Sequence, residues 1–279
     1  MKFAFFGTPD LVIPILDELE KNNLLPSVII TGMDREKGRG LEIQSPAPKA
    51  WGMQRNIPVL QPEKIDEAFV ENFKKNNFDI GVVVAYGKIL PQALIDSPAH
   101  GMINVHYSLL PKYRGATPVE SAVLNADKET GVCIQQMVFA LDAGDVIAEE
   151  KATIDPDEKA IDLRVRLNEI AKIMLPKAMI EVCGSRTTSK KQDDSLATYC
   201  KKIKKENGLL DLSADGLTNY NKFRAYFGHV GTYFFVEKNG KQIRVKITDA
   251  KFENGEFKIL KVIPEGKKEM AYEDFKRGR

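Results

Sequence analysis

Residues 79–86 read DIGVVVAY, apolar on both of the alternating faces that a strand presents. A half-exposed strand would alternate apolar and polar, so this stretch is expected at the centre of a sheet covered on both sides, the arrangement of parallel α/β folds. Further short β-rich runs lie on either side of it: Lys2 to Phe6, Ser27 to Thr31, Pro58 to Leu60, Met102 to His106 and Gly131 to Val138. Helical patterns fall between them at Asp10 to Asn22, Ala47 to Arg55, Asp66 to Lys75 and Pro118 to Asn125, with Pro48 and Pro118 where a first turn tolerates proline. This rhythm predicts βαβ units and a Rossmann-like, mostly parallel sheet with helices on both faces.

From Asp157 to Cys183 the period is helical, with Leu163, Leu167, Ile170, Met174 and Ala178 on one face, and Pro176 is expected to bend or end the helix. GSRTTSKKQDDS, residues 184–195, has no apolar period and reads as a linker. Beyond it TYFFV, QIRVKI and FKILKVI are separated by KNG and ENG, hairpin signals that predict a small antiparallel, barrel-like β domain. The expected organisation is a catalytic domain at 1–183, a linker at 184–202 and a C-terminal domain at 203–279. No internal repeat is present, which excludes solenoids and propellers.

The chain has 279 residues, 43% apolar and 29% charged, which excludes wholesale disorder and fibrous repeats. No apolar run approaches the roughly 18–20 residues of a membrane span, and Pro9 and Asp10 interrupt any secretory leader, so a cytoplasmic address is expected. The three cysteines lie far apart, and the three histidines lack metal-site spacing, so no protein metal is expected. Net charge is +2, but from residue 201 onward there are 18 Lys or Arg against 11 Asp or Glu, whereas the first 200 residues carry 23 against 28. An acidic body with a basic tail hints at nucleic acid, although basic surfaces also serve solubility.

The first βα junction, FFGTPD, has one glycine and no GxGxxG, which argues against a nicotinamide or flavin enzyme. MINVHYSLLPKYRGATP, residues 102–118, is more informative. On a strand Asn104 and His106 share a face, at the end where open α/β sheets bind ligands. Such a pair either satisfies interior hydrogen bonds or serves a site. Two features favour a site: the loop SLLPKYRGA, whose Leu109 and Leu110 suit the wall of a pocket, and LDAGD at 141–145, which offers Asp142 to orient an imidazole. An amide, an imidazole and a carboxylate suit acyl transfer in which the substrate supplies the nucleophile.

GTPD at 7–10, GRG and SP within 38–46, VVVAYGKILP at 82–91, NVHYSLLPKYRGATP at 104–118, ETGV at 129–132 and LDAGD at 141–145 resemble the methionyl-tRNA formyltransferase family. ATYCKKIKKENGLLD at 197–211 and GKKEM before Phe275 resemble its linker and C-terminal domain more loosely. The resemblance implies a formyltransferase fold and formyl transfer from 10-formyltetrahydrofolate, a co-substrate, to the α-amino group of methionine on initiator tRNA, by a monomer without metal or membrane. It places the catalytic residues at Asn104, His106 and Asp142, and folate contacts at Ser108, Leu109, Leu110 and Pro111. In this reading Asn104 and a protonated His106, oriented by Asp142 and with its pKa raised by it, donate hydrogen bonds to the developing oxyanion, and Asp142 is the candidate acceptor of the amine proton, directly or through water.

Arg39, in the glycine-rich loop, and Lys201, Lys202, Lys204 and Lys205 are the expected tRNA contacts. Leu41 and Glu42 make that loop less cationic than the family's. The C-terminal domain is expected to be an OB-like barrel, abridged beyond Lys251. A rival reading keeps the folate donor and changes the acceptor to a sugar nucleotide or glycinamide ribonucleotide. A second rival is a non-catalytic tRNA-binding protein.

Overall fold

The computed structural model describes residues 1–37, 42–186, 188–238 and 240–278. In chain order the first elements are β1 (Phe3–Gly7), α1 (Ile13–Lys21), β2 (Val28–Ile30), β3 (Arg35–Lys37), β4 (Glu42–Gln44), α2 (Ala47–Gln54), β5 (Val59–Leu60), α3 (Glu67–Lys74), β6 (Ile80–Val84) and α4 (Gln92–Ile95). Then come β7 (Met102–His106), β8 (Arg114–Gly115), α5 (Pro118–Leu124), β9 (Glu129–Gln136), β10 (Val146–Thr153), α6 (Ala160–Cys183) and β11 (Tyr199–Cys200). The last are α7 (Gly216–Tyr226), β12 (Thr232–Lys238), β13 (Lys241–Glu253), β14 (Glu256–Pro264), β15 (Met270–Ala271) and α8 (Tyr272–Arg277). The chain forms two compact units, one of residues 1–114, 131–152 and 165–199, the other of 115–130, 153–164 and 200–279.

A seven-stranded sheet in the order β10-β9-β7-β6-β1-β2-β5 organises the first unit. The pairs β1–β2, β1–β6, β2–β5 and β6–β7 are parallel, and β7–β9 is antiparallel. Because β2 lies on one side of β1 and β6 on the other, winding reverses there, and ligands of such sheets bind beyond the carboxyl ends near the reversal. All five residues of β1 and of β6 are buried, as a strand covered on both faces requires. Ala4, Phe6, Val28, Ile30, Val83 and Met102 on one face pack with Val70 and Phe73 of α3. Each large apolar side chain taken from water in this layer contributes roughly 1.5–3 kcal/mol. α3 begins at Asp66, whose carboxylate accepts the Phe69 N–H at 2.9 Å, a cap worth about 1 kcal/mol.

Pro176 does not end α6, which runs 24 residues through it. A proline inside a helix costs about 3 kcal/mol. Beyond or beside it Leu175, Ala178 and Met179 are essentially fully buried, and their burial outweighs that cost. The buried stripe runs through Ala171 and Leu175, while Ile170 and Met174 are half-buried.

The second unit holds a four-stranded sheet in the order β12-β13-β14-β15, antiparallel at each pairing. The strands at 232–264 follow the alternation of the sequence, with Phe234, Val245, Ile247 and Val262 packed with Tyr220 and Phe223 of α7. The polar stretch at 184–202 is divided: residues 184–199 lie in the first unit and the rest in the second. Among the described residues no helix is long and apolar enough to cross a membrane.

Candidate active site

β7 alternates as its sequence requires. Ile103 and Val105 are buried, and Asn104 and His106 point to the other face, His106 being the last residue of the strand. The register with β9 sets Gln135 opposite Asn104 and Cys133 opposite His106, so these four side chains share one face.

His106 is 5% exposed, with Nε2 3.0 Å from the Tyr113 carbonyl oxygen. A carbonyl only accepts, so Nε2 carries the proton and a neutral imidazole leaves Nδ1 bare. That atom faces Asp142 Oδ2 at 3.8 Å. Burial pushes the His106 pKa below its ordinary value, outweighing the opposing pull of Asp142 and of the Tyr113 carbonyl. The expectation of a raised pKa and a protonated ring is therefore corrected. At 3.8 Å the carboxylate is beyond direct hydrogen-bond distance, and its charge does not compensate the lost hydration of the ring.

Asp142 sits in the loop between β9 and β10 with a left-handed φ of 47°. Its Oδ1 accepts a hydrogen bond from Gln135 Nε2 at 3.0 Å, and its carbonyl accepts one from Gln192 Nε2 at 2.9 Å. Gly144 lets this loop fold back on the sheet: a Cβ there would lie 1.7 Å from the Gln136 carbonyl oxygen.

The loop after β7 is tied down throughout. The Tyr107 hydroxyl donates to Asn168 Oδ1 at 2.8 Å, and the Ser108 hydroxyl donates to the Lys112 carbonyl at 2.6 Å. The Leu110 N–H points at Cys133 Sγ, 3.4 Å away, and the Leu110 side chain is buried with Cys133 and Val146. Leu109 packs against Gly131, where a Cβ would meet its Cδ2 at 2.4 Å. Tyr113 and Arg114 N–H groups donate to Thr198 Oγ1 and O, each at 2.8 Å. Of the four expected folate contacts, Ser108 and Leu110 are thus sequestered, whereas Leu109 and Pro111 are half-buried.

Burial pushes the Cys133 thiol up to about 12, so it remains a thiol and is no nucleophile. Among the described residues no group of three His, Cys, Asp or Glu is placed to hold a metal ion. Arg39 lies outside the described residues, as does Leu41. Lys201, Lys202, Lys204 and Lys205 belong to the second unit and are all exposed.

Sequence reasoning missed Tyr113, Arg114, Gln135 and Gln192. Gln135 had a weak signal, a polar residue within the apolar run VCIQQ. Gln192 had none, since it stands in a stretch without periodicity.

Residues 1–179 match the family model described as formyl transferase. The methionyl-tRNA formyltransferase of Sulfurihydrogenibium sp. (strain YO3AOP1) is 42% identical over 227 residues, 81% of this chain and 73% of that protein. The one from Halalkalibacterium halodurans is 36% identical over 302 residues, covering 100% of this chain and 95% of that protein. Among solved structures, the methionyl-tRNA formyltransferase from Clostridium thermocellum superposes with a TM-score of 0.64 at 18% identity over 95% of this chain and 98% of that one. The Helicobacter canadensis N-formyltransferase, in complex with folinic acid and dTDP-3-aminofucose, gives 0.67 at 16% over 91% and 89%. The fold is therefore common to proteins of both names. Similar at better than one residue in three along its whole length to proteins of that name, this chain belongs to the methionyl-tRNA formyltransferase family.

Proposed function

We propose that this enzyme transfers the formyl group of 10-formyltetrahydrofolate to the α-amino group of methionine on initiator tRNA, with Asn104, His106 and Asp142 as the catalytic residues. One observation carries the reading: His106 Nδ1 faces the Asp142 carboxylate across 3.8 Å at the carboxyl end of β7, with Nε2 on the Tyr113 carbonyl. Two acceptors turned toward one another make a receptor for a proton brought by the substrate amine.

The amine nitrogen attacks the formyl carbon, forming the new C–N bond while the carbonyl electron pair moves onto oxygen. The Asn104 amide donates to that oxygen, an interaction worth about 2.7–4 kcal/mol of barrier for one such donor. The amine proton passes to His106 Nδ1, and the resulting imidazolium pairs with Asp142 while Nε2–H stays on the Tyr113 carbonyl. Collapse restores the C=O bond and breaks the bond to folate N10, which takes up the proton. The neutral resting imidazole suits the role of base, because a ring already protonated has no site for the amine proton.

Folate lies along residues 108–111 in this reading. The Ser108 hydroxyl and Leu110 side chain give the loop its shape, and Leu109 and Pro111 supply apolar surface. The exposed Lys201, Lys202, Lys204 and Lys205, with the OB-like C-terminal strands, meet tRNA phosphates, and Arg39 is a separate contact with tRNA in this reading. The test is incubation of purified protein with 10-formyltetrahydrofolate and Met-tRNA, followed by detection of formyl-methionine, with His106→Ala as control. Transfer to Met-tRNA far above transfer to amino-sugar nucleotides or glycinamide ribonucleotide is expected. The reverse preference overturns the assignment of the acceptor, and tRNA binding with no transfer overturns catalysis.

A further inference from the structure

Behind Asp142 lies a run of hydrogen bonds in which each link admits one sense only. Arg114 is 3% exposed and donates through Nε and Nη2 to Gln192 Oε1, at 3.1 and 2.8 Å. A guanidinium has no acceptor, so the Gln192 amide cannot flip. Its Nε2 must face the other way, and there it meets the carbonyls of Asp142 at 2.9 Å and Gly144 at 2.6 Å. The same Nε2 lies 3.5 Å from Gln135 Oε1. A carboxylate oxygen accepts, so Gln135 turns its Nε2 to Asp142 Oδ1, 3.0 Å away. Gln192 and Gln135 are 8% and 2% exposed, so water does not compete for these groups. At the outer end Asp194, largely exposed, pairs with Arg114 Nη2 at 2.7 Å and balances the buried charge.

The backbone next to Arg114 serves the other half of the pair, since the Tyr113 carbonyl receives His106 Nε2–H. One dipeptide thus holds the imidazole through its main chain and the carboxylate through a side chain and two glutamines.

We infer that Arg114, Gln192 and Gln135 are positioning residues for the transfer, a directional chain that aims Asp142 at His106 Nδ1. The inference rests on the reading above, in which His106 and Asp142 act on the amine. A static core polar cluster would serve stability alone. A positioning chain changes turnover and the response of turnover to pH, because both depend on where the carboxylate stands.

Two variants test it in the full-length protein. Gln192→Glu keeps the size and the Arg114 pairing and removes the donors to the 142–144 loop. Gln135→Met keeps the length and removes the donor to Oδ1, so it stands if Gln192→Glu does not fold. A displacement of about 1 Å at reacting groups costs on the order of 100-fold. Each variant is therefore expected to lose about 100-fold in kcat, with KM for both substrates changed by less than about 3-fold. In Gln135→Met the acid limb of the kcat profile moves to lower pH, since a carboxylate no longer held toward Nδ1 stabilises the His106 imidazolium less. Single-turnover rates in an Asp142→Ala background complete the cycle, and there the second substitution is expected to add nothing.

Unchanged kcat in both variants, or the same loss with and without the Asp142 carboxylate, overturns the positioning role. If instead His106→Ala and Asp142→Ala themselves turn over at the unsubstituted rate, the reading of the catalytic pair fails, and the chain of donors falls with it.

Discussion

The carboxyl end of β7 and the basic strip at 201–205 use polar residues in opposite ways. At β7 they are buried, few and aimed: His106, Gln135, Gln192 and Arg114 are each less than one-tenth exposed, and their donors and acceptors are assigned by geometry. At 201–205 four lysines stand in solvent, none of them held by burial. The difference suits the tasks proposed for them. Moving a proton between an amine and an imidazole requires placement to within a fraction of an ångström, whereas holding a phosphate backbone requires charge density and tolerates mobile side chains. Single substitutions should therefore be severe in one region and graded in the other.

The largest break in this contrast is expected from His106→Ala. Loss of a general base lowers kcat by roughly 100- to 10,000-fold, measured by formyl-methionine released in single turnover, while affinity for tRNA is unchanged. Gly144→Ala comes next. The Cβ cannot be accommodated 1.7 Å from the Gln136 carbonyl oxygen, so the loop bearing Asp142 must move, and kcat falls by about 100-fold. Near-normal turnover in this variant would show that the site tolerates displacement after all.

Replacing Lys201, Lys202, Lys204 and Lys205 together by alanine sharpens the other side. Withdrawing one cation from a phosphate takes about 0.7–0.9 from the slope of log K against log salt, so tRNA binding weakens and responds less steeply to salt while kcat at saturation holds. An unchanged slope would remove the strip from the tRNA interface. The smallest effect concerns stability. Burial holds the His106 pKa in the folded protein below its ordinary value of 6.5, so the unfolded chain binds that proton more readily. Its contribution to stability is complete above about pH 6.5 and is lost as pH falls from there through the folded pKa. Melting followed from pH 7 to pH 5 is expected to show a shallower loss in His106→Gln, which cannot titrate.

How far these regions were legible differed for physical reasons. The strand carrying Asn104 and His106 was readable because period-2 alternation is local, and the meander at 232–264 because its turns carry glycine next to alternating β formers. Pro176 does not end α6 because a helix-breaking residue is a local cost, and burial of Leu175, Ala178 and Met179 exceeds it. The direction of the His106 pKa differed from expectation because the pull of the neighbouring carboxylate was foreseen and the depth of burial was not. Gln192, within a stretch read as linker, was invisible. Its importance comes from partners 50 and 78 residues away, Asp142 and Arg114, and no periodicity reports such distant pairings.

The amino-acid sequence by itself determined the βαβ rhythm, the side chains that share the face of β7, the loop offering Asp142 and the basic character of the chain after residue 200. Those features depend on steric preference, period and composition, which act over a few residues. Only the tertiary structure decided the sheet order, the register that sets Gln135 across from Asn104, the lowered pKa of His106 and the hydrogen bonds linking Arg114 through Gln192 to the Asp142 loop. These arise when segments far apart in the chain pack together and exclude water, which makes each buried donor find an acceptor and makes charge costly where hydration is lost.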